Sequence, residues 1–333
     1  MAIHTLHARL RRLSLVAMLF GIGAVGLAGQ PSAAQSVATE YRLVSSPEIS
    51  SSQRKAWTRE ELLNAVPYPL ENVPGLPLAG VSPPSAKGPA FIVPPQFPKG
   101  SDGKAAPQNP GYTVDPSYYG YYPFSTMGKV FFTDNGVNYV CSAAVAGNNA
   151  VWTAGHCVFN PQSYTWHTNW IFVPGYYDGY APHGYWYARE LWTNTLWTDS
   201  PWNNFGHDIA AAVLWPDANG NSVATRFGAL GFMANVSYSQ YFEPFGYAAL
   251  YPYNGERIAG CGNSPFVYDY SYSPPTIGVS CDLTGGASGG PWLVSGYYIN
   301  GLNSYKYTND PYSMYSPYFG DTATMMYNTV LPR

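Results

Sequence analysis

Regular alternation of apolar and polar positions begins only past residue 121. Gly128-Lys129-Val130-Phe131-Phe132-Thr133 is an extended run rich in β-branched and aromatic side chains. It stops at Asp134-Asn135-Gly136, and residues 137–146 resume the same half-apolar pattern. Asn-Gly accepts the positive φ of a tight two-residue turn, so the pair predicts a β-hairpin. Short runs recur at 170–174, 209–215, 241–246, 278–281, 292–294 and 298–302, punctuated by Gly, Asn, Asp and Pro. Many short strands between turns predict an all-β barrel or sandwich rather than a βαβ fold. Near the end only residues 321–331 carry a helical pattern, with Asp321 as N-cap.

Residues 35–115 differ. Prolines crowd there, as at Pro83-Pro84 and Pro94-Pro95, and apolar periodicity is weak. One short helix is predicted over 57–65, capped by Thr58 and ended before Pro67. A stretch of about 80 residues without a core of its own is most simply a linker or a removable prosegment. At the start of the chain, Arg9, Arg11 and Arg12 precede an apolar stretch over 13–28, and Ser32-Ala33-Ala34 offers small residues for cleavage. The expected organisation is a signal peptide over 1–34, a proline-rich prosegment or linker over 35–115, and a folded domain over 116–333. No other run approaches 18 apolar residues. A secreted or periplasmic protein is therefore expected, with no stable membrane anchor after signal cleavage.

From residue 116 onward six basic residues face twelve acidic ones, a net charge of −6. Phosphate binding needs clustered Lys and Arg, so nucleic acid is not an expected partner. The same region holds 27 of the 30 tyrosines and 9 of the 10 tryptophans. Tyr and Trp favour strands, which makes a β-rich core the plain reading and an aromatic platform for sugars or peptides the alternative. The four cysteines, Cys141, Cys157, Cys261 and Cys281, fall here too. An even count in an exported chain predicts two disulfides. Three pairings are open; the expected one is local in each half, Cys141–Cys157 and Cys261–Cys281, each stabilising by about 3 kcal/mol through loop closure. Without a Cys-x-x-Cys pair, no zinc site is expected.

Three segments carry chemistry: Thr153-Ala154-Gly155-His156-Cys157, His207-Asp208-Ile209-Ala210 and Gly286-Ala287-Ser288-Gly289-Gly290-Pro291. A serine hydroxyl is a poor nucleophile until an imidazole takes its proton, and the imidazole needs a carboxylate to hold its tautomer. Gly286-Ala287-Ser288-Gly289-Gly290 also fits the elbow of α/β-hydrolases, but that fold places its His after the Ser and a helix directly behind it. No histidine follows Gly289, and Pro291-Trp292 continues poorly as a helix.

The stretch from Cys141-Ser142-Ala143-Ala144-Val145 to Val151-Trp152-Thr153-Ala154-Gly155-His156-Cys157 resembles the His segment of the trypsin-like (chymotrypsin-fold) serine peptidases. Phe205 to Leu214 resembles that family's Asp segment, and Cys281 to Pro291 its nucleophile loop. The resemblance covers roughly 121–333 and is nearest to the bacterial glutamyl-endopeptidase-like branch. Trp57-Thr58, Ala65, Pro67 and Pro69 more weakly resemble prosegments of that branch. The resemblance implies two antiparallel six-stranded β-barrels, about 116–218 and 219–333, with the active site between them and a short C-terminal helix. It implies a His156, Asp208, Ser288 triad and an oxyanion hole made by the N–H groups of Gly286 and Ser288. Substrate contacts are implied at Asp282, Asn303, Ser304 and Tyr305, and no metal or organic cofactor is needed. A secreted serine endopeptidase follows, a monomer made as a zymogen, hydrolysing proteins or peptides through an acyl-enzyme; the opposing reading is a non-catalytic, aromatic-rich binding module on the same fold.

Several positions depart from the family pattern. Ala287 stands where many members carry an Asp that captures a new N-terminal ammonium, and the usual Ile-Val-Gly-Gly start is missing. Prosegment removal is therefore expected to act by unblocking the site. Asn303 stands where glutamyl endopeptidases show a His, so neither Glu specificity nor, from Asp282 alone, Lys or Arg specificity is assigned. Lys306 reads as a solvated surface lysine, and His207 as structural, since neighbouring strand side chains face opposite ways.

Overall fold

The Asn-Gly hairpin forms as β1 (Met127–Asp134) and β2 (Val137–Val145), paired from Asp134↔Val137 to Met127↔Ala144. Asn135 and Gly136 take φ of 48° and 81°, the two positive values such a turn requires. The protein is described by a computed structural model over residues 41–69, 71–80, 82–98, 112–200, 204–262, 266–330 and 333. The expected signal peptide lies outside these residues, as do positions 99–111.

β3 (Ala150–Thr153), β4 (Thr168–Pro174), β5 (Trp186–Asn194) and β6 (Ala210–Leu214) complete the first sheet. Its order is β5-β4-β1-β2-β3-β6, and β6 pairs back onto β5, so six strands close into a barrel. β5 is one of several strands the hydrophobic pattern does not reveal; in it Arg189 and Glu190 interrupt the apolar run. Glu190 keeps its carboxylate between the Trp192 indole N–H at 2.9 Å and the Arg333 guanidinium at 3.1 Å.

The second half has β7 (Gly231–Ala234), β8 (Glu243–Gly246), β9 (Phe266–Asp269), β10 (Thr276–Ser280), β11 (Pro291–Val294), β12 (Tyr298–Leu302), β13 (Tyr305–Tyr307) and β14 (Asp310–Ser316). They form two sheets, β7-β12-β11-β8 and β13-β14-β10-β9. Only Asn303 and Ser304 separate β12 from β13, so the chain passes directly from one sheet to the other. Among these eight strands one pairing departs from the antiparallel expectation: β7 runs parallel to β12, with Gly231 opposite Tyr298. Both disulfides pair as expected, Cys141–Cys157 and Cys261–Cys281. The large aromatics turn inward; Trp152, Trp292, Tyr176, Tyr247, Tyr305 and Tyr315 are fully buried.

The predicted short helices are present. In α1 (Arg59–Asn64) the Thr58 hydroxyl accepts from the Glu61 N–H while the Glu61 carboxylate accepts from the Thr58 N–H, a reciprocal cap. α2 (Asp321–Val330) sets Tyr327 against Phe232 and Trp152, and so packs onto the first barrel. Much of the proline-rich stretch is built into the edges of the fold. Leu43–Ser45 pairs with β5, Val66–Pro67 with β2, Glu71–Val73 with β13, Ala79–Gly80 with β9 and Phe91–Val93 with β7. Strands of two or three residues show no periodicity in sequence, yet Trp57 and Leu62 are buried in the core. No helix among the described residues is long and apolar enough to cross a membrane.

Candidate active site

Strand register brings His156 and Asp208 together. β3 and β6 pair antiparallel with Thr153 opposite Ala210. His156 follows Thr153 by three residues and Asp208 precedes Ala210 by two, so both emerge from the same end of adjacent strands. The Asp208 carboxylate accepts from the His156 backbone N–H (Oδ1, 2.9 Å) and pairs with the imidazole Nδ1 (Oδ2, 2.8 Å). The Ser304 hydroxyl donates to the same Oδ2 at 2.5 Å. A carboxylate on Nδ1 keeps the proton there and leaves Nε2 as the acceptor of the ring. Asp208 is fully buried and His156 nearly so. Gly155 is dictated by this close approach, since a Cβ there would lie 2.9 Å from Asp208 Oδ1 and from the Trp197 ring.

Ser288 is held against the first barrel by its backbone: its carbonyl accepts from the Ser142 N–H at 2.7 Å. Ser142 ties the loop a second time, its hydroxyl donating to the Gly286 carbonyl (2.9 Å) and accepting from the Tyr247 N–H (2.8 Å). Gly286 and Gly289 have φ of +91° and +77°, and a Cβ at 286 would meet the Tyr247 carbonyl at 2.6 Å. The N–H groups of Gly286 and Ser288 donate to no other group among the described residues, which leaves two donors on the loop that presents Ser288. The Ser288 hydroxyl is buried and has no hydrogen-bond partner among them either. The sulfurs of Cys141 and Cys157 lie close to His156 but are spent on the disulfide, so this cluster offers no thiolate to a metal.

The remaining expected residues are placed as follows. Asn303 is fully buried: its amide donates to the carbonyls of Phe245 (2.8 Å) and Ala287 (3.0 Å), and its oxygen accepts from the Trp292 indole (2.8 Å). Asp282 is exposed and accepts from the Tyr253 hydroxyl at 2.7 Å. Tyr305 is buried in β13, its hydroxyl donating to Asp269 at 2.8 Å. Lys306 corrects its sequence reading. It is 6% exposed, and its ammonium donates to the carbonyls of Cys281 (2.9 Å) and Pro311 (2.7 Å). Burial lowers its pKa to about 8. His207 faces the Ser273 carbonyl and Thr322, with its pKa lowered by burial.

Sequence reasoning did not find Asp134 or Tyr68. His167 bonds the His156 carbonyl through Nε2 (2.9 Å) and faces Asp134 through Nδ1 (3.6 Å). Hydrogen bonding from His167 holds the Asp134 carboxyl below its usual range. Beside His156 lies a cavity of about 250 Å³ lined by Tyr68, Pro69, Asp134, Tyr139, Asn160 and Trp197. No local motif marks these residues; they come from four separate stretches of the chain.

No protein-family model and no curated protein matches the chain. Solved structures do. The protease Anisep from Arthrobacter nicotinovorans superposes with a TM-score of 0.58 at 38% identity, over 63% of this chain and 96% of that one. The thermostable serine protease AL20 from an extremophilic microorganism gives 0.56 at 36% identity, over 62% and 97%. A Glu endopeptidase matches at 0.55 and 16% identity, over 68% and 98%, and shows the shared fold. The chain belongs to the trypsin-like, chymotrypsin-fold serine peptidases.

Proposed function

We propose that this chain is exported and hydrolyses peptide bonds with Ser288 as nucleophile, His156 as base then acid, and Asp208 as the orienting carboxylate. The observation that carries the reading is the buried His156–Asp208 pair, formed beside a loop that presents a buried serine and two unused N–H donors. Ser288 Oγ attacks the scissile carbonyl as its proton passes to His156 Nε2. The N–H groups of Gly286 and Ser288 receive the oxyanion, and His156 returns the proton to the leaving amine. Water then attacks the acyl-enzyme by the same route in reverse. Asn303, bonded on all sides inside the protein, acts in this reading as the frame of the nucleophile loop. The signal over 1–34 is removed on export, and residues 35–115 form a prosegment whose removal unblocks the site.

The test is fluorophosphonate labelling of the secreted protein beside Ser288→Ala, with the mature N-terminus sequenced from the same sample. Labelling lost in Ser288→Ala is the expected result. Asp208→Asn is expected to keep the fold and lower turnover about 10⁴-fold. Correctly processed, folded protein that does not label would overturn the assignment.

A further inference from the structure

An upstream part of the chain pairs with strand edges on both sides of His156, Val66–Pro67 with β2 and Glu71–Val73 with β13, and the direction in which it runs has a consequence for inhibition. A substrate's direction follows from the chemistry: His156 must protonate the leaving amine, so the C-terminal part of a substrate lies on the His156 side of Ser288. There it faces Tyr139, Val140 and the cavity beside the imidazole. In the catalytic reading above, the N-terminal, acyl part lies on the other side, along β13, where the family resemblance implies substrate contacts at Ser304 and Tyr305. A substrate therefore passes from β13 toward β2.

Residues 66–69 and 71–73 lie along these two edges in the opposite order. Val66–Pro67 pairs with β2, Val66 opposite Tyr139 and Pro67 opposite Val140. The Tyr68 N–H then donates to the Val140 carbonyl at 3.0 Å. The Tyr68 ring stacks on His156, centroids 5.9 Å apart and planes inclined by 21°, and its hydroxyl reaches Asp134 Oδ2 at 3.4 Å. Further on, Glu71–Val73 pairs with β13 in parallel, Glu71 opposite Tyr305 and Val73 opposite Tyr307, and the Thr308 N–H donates to the Val73 carbonyl at 2.9 Å. The segment enters on the leaving-group side and exits on the acyl side. Main-chain pairing of this kind uses the strand edges that would otherwise bind a peptide.

We propose that residues 66–73 are a self-inhibitory ligand of the peptide cleft, bound in reverse polarity and anchored by Tyr68 over His156. The proposal rests on the catalytic reading above. Reversal exchanges the positions of carbonyl and amide nitrogen along the groove, so the base lies toward the acyl side of any bond presented to Ser288. Attack then has no proton donor for its leaving group, and the segment persists where a forward-running peptide would be cut. Pro67 and Pro69 flank Tyr68 and fix their φ near the extended region, which presets the path of the anchor.

The experiment compares the full chain with Tyr68→Ala and Tyr68→Phe, and uses Ser288→Ala as the blank. Peptide hydrolysis, fluorophosphonate labelling and the intactness of residues 65–75 by mass spectrometry are read on each protein. Tyr68→Ala is expected to raise peptide turnover about tenfold, the loss of one anchoring aromatic contact. Tyr68→Phe, which keeps the ring and loses the hydroxyl, should rise less, and residues 66–73 should remain uncut in both. Equal turnover in wild type and Tyr68→Ala, with labelling that depends on Ser288, overturns the inhibitory role and leaves the catalytic reading standing. Cleavage within 66–73 that depends on Ser288 overturns the reversed polarity. Absence of Ser288-dependent labelling in every protein, the correctly processed form without residues 35–115 included, removes the catalytic reading, and the inference with it.

Discussion

Asp208 receives three donors, and they are not equivalent. The His156 backbone and imidazole come from the same turn, whereas Ser304 reaches over from the second half of the molecule. In the proposed mechanism Ser304 is thus a positioning residue, acting on the imidazole through the carboxylate. A hydrogen bond to a charged group contributes about 1.5–3 kcal/mol, so Ser304→Ala should lower kcat/KM about tenfold or more with little change in KM. The pH profile separates this from a packing defect. Without the donor the carboxylate holds the imidazolium more strongly, and the acidic limb of kcat/KM should move to higher pH. An unmoved limb would make Ser304 merely structural. The sequence marks Ser304 only as an implied substrate contact and gives no sign of its bond to Asp208, which lies 96 positions away.

At the scale of elements, the turn that carries His156 is a short piece of chain stapled at both ends. β3 holds its start through pairing with β6, and Cys157, next to His156, is bonded to Cys141 in β2 across a separation of 16 residues. Replacing both cysteines by alanine, in a Ser288→Ala background to prevent self-digestion, should cost about 3 kcal/mol in denaturant unfolding. In an otherwise wild-type chain the same pair of changes should also reduce turnover if His156 is the base as proposed, because the bond restrains the residue next to it. Loss of stability with undiminished turnover would show that β3 alone suffices. The hairpin, α1, α2 and most strands were readable because their turn and cap residues are local. β5 was hidden by its internal Arg189-Glu190, and the edge strands of residues 41–113 by their shortness.

Across the whole molecule, two buried lysines set an alkaline response. Burial lowers Lys129 and Lys306 to about 8, against an ordinary value of 10.5. The unfolded chain then binds more protons than the folded one between about pH 8 and 10, so their contribution to stability rises with pH in that window. Above pH 10 the sign reverses, because burial raises Tyr176, Tyr305 and Tyr315 far above their ordinary 10 and the folded chain retains protons that the unfolded one releases. Thermal unfolding of the Ser288→Ala protein should show Tm rising from pH 8 to a maximum near 10 and falling beyond it. Lys306→Met should flatten the rise. A monotonic decline from pH 8 would contradict the burial of both ammonium groups.

Residue order alone determined the fold class and the three segments that carry His156, Asp208 and Ser288, because turns, caps and motif frames are local and every part of them is adjacent in the chain; it left three disulfide pairings open, of which the fold holds the local one in each half. What each frame does with its neighbours was decided only in three dimensions. Strand register set the His156–Asp208 geometry, Ser142 and Ser304 joined the two halves at the site, and Lys306 went inside because two carbonyls awaited it. The pairings of Val66–Pro67 with β2 and of Glu71–Val73 with β13 belong to the same class. Pairing direction is a relation between two distant strands, and composition and periodicity carry no sign of it.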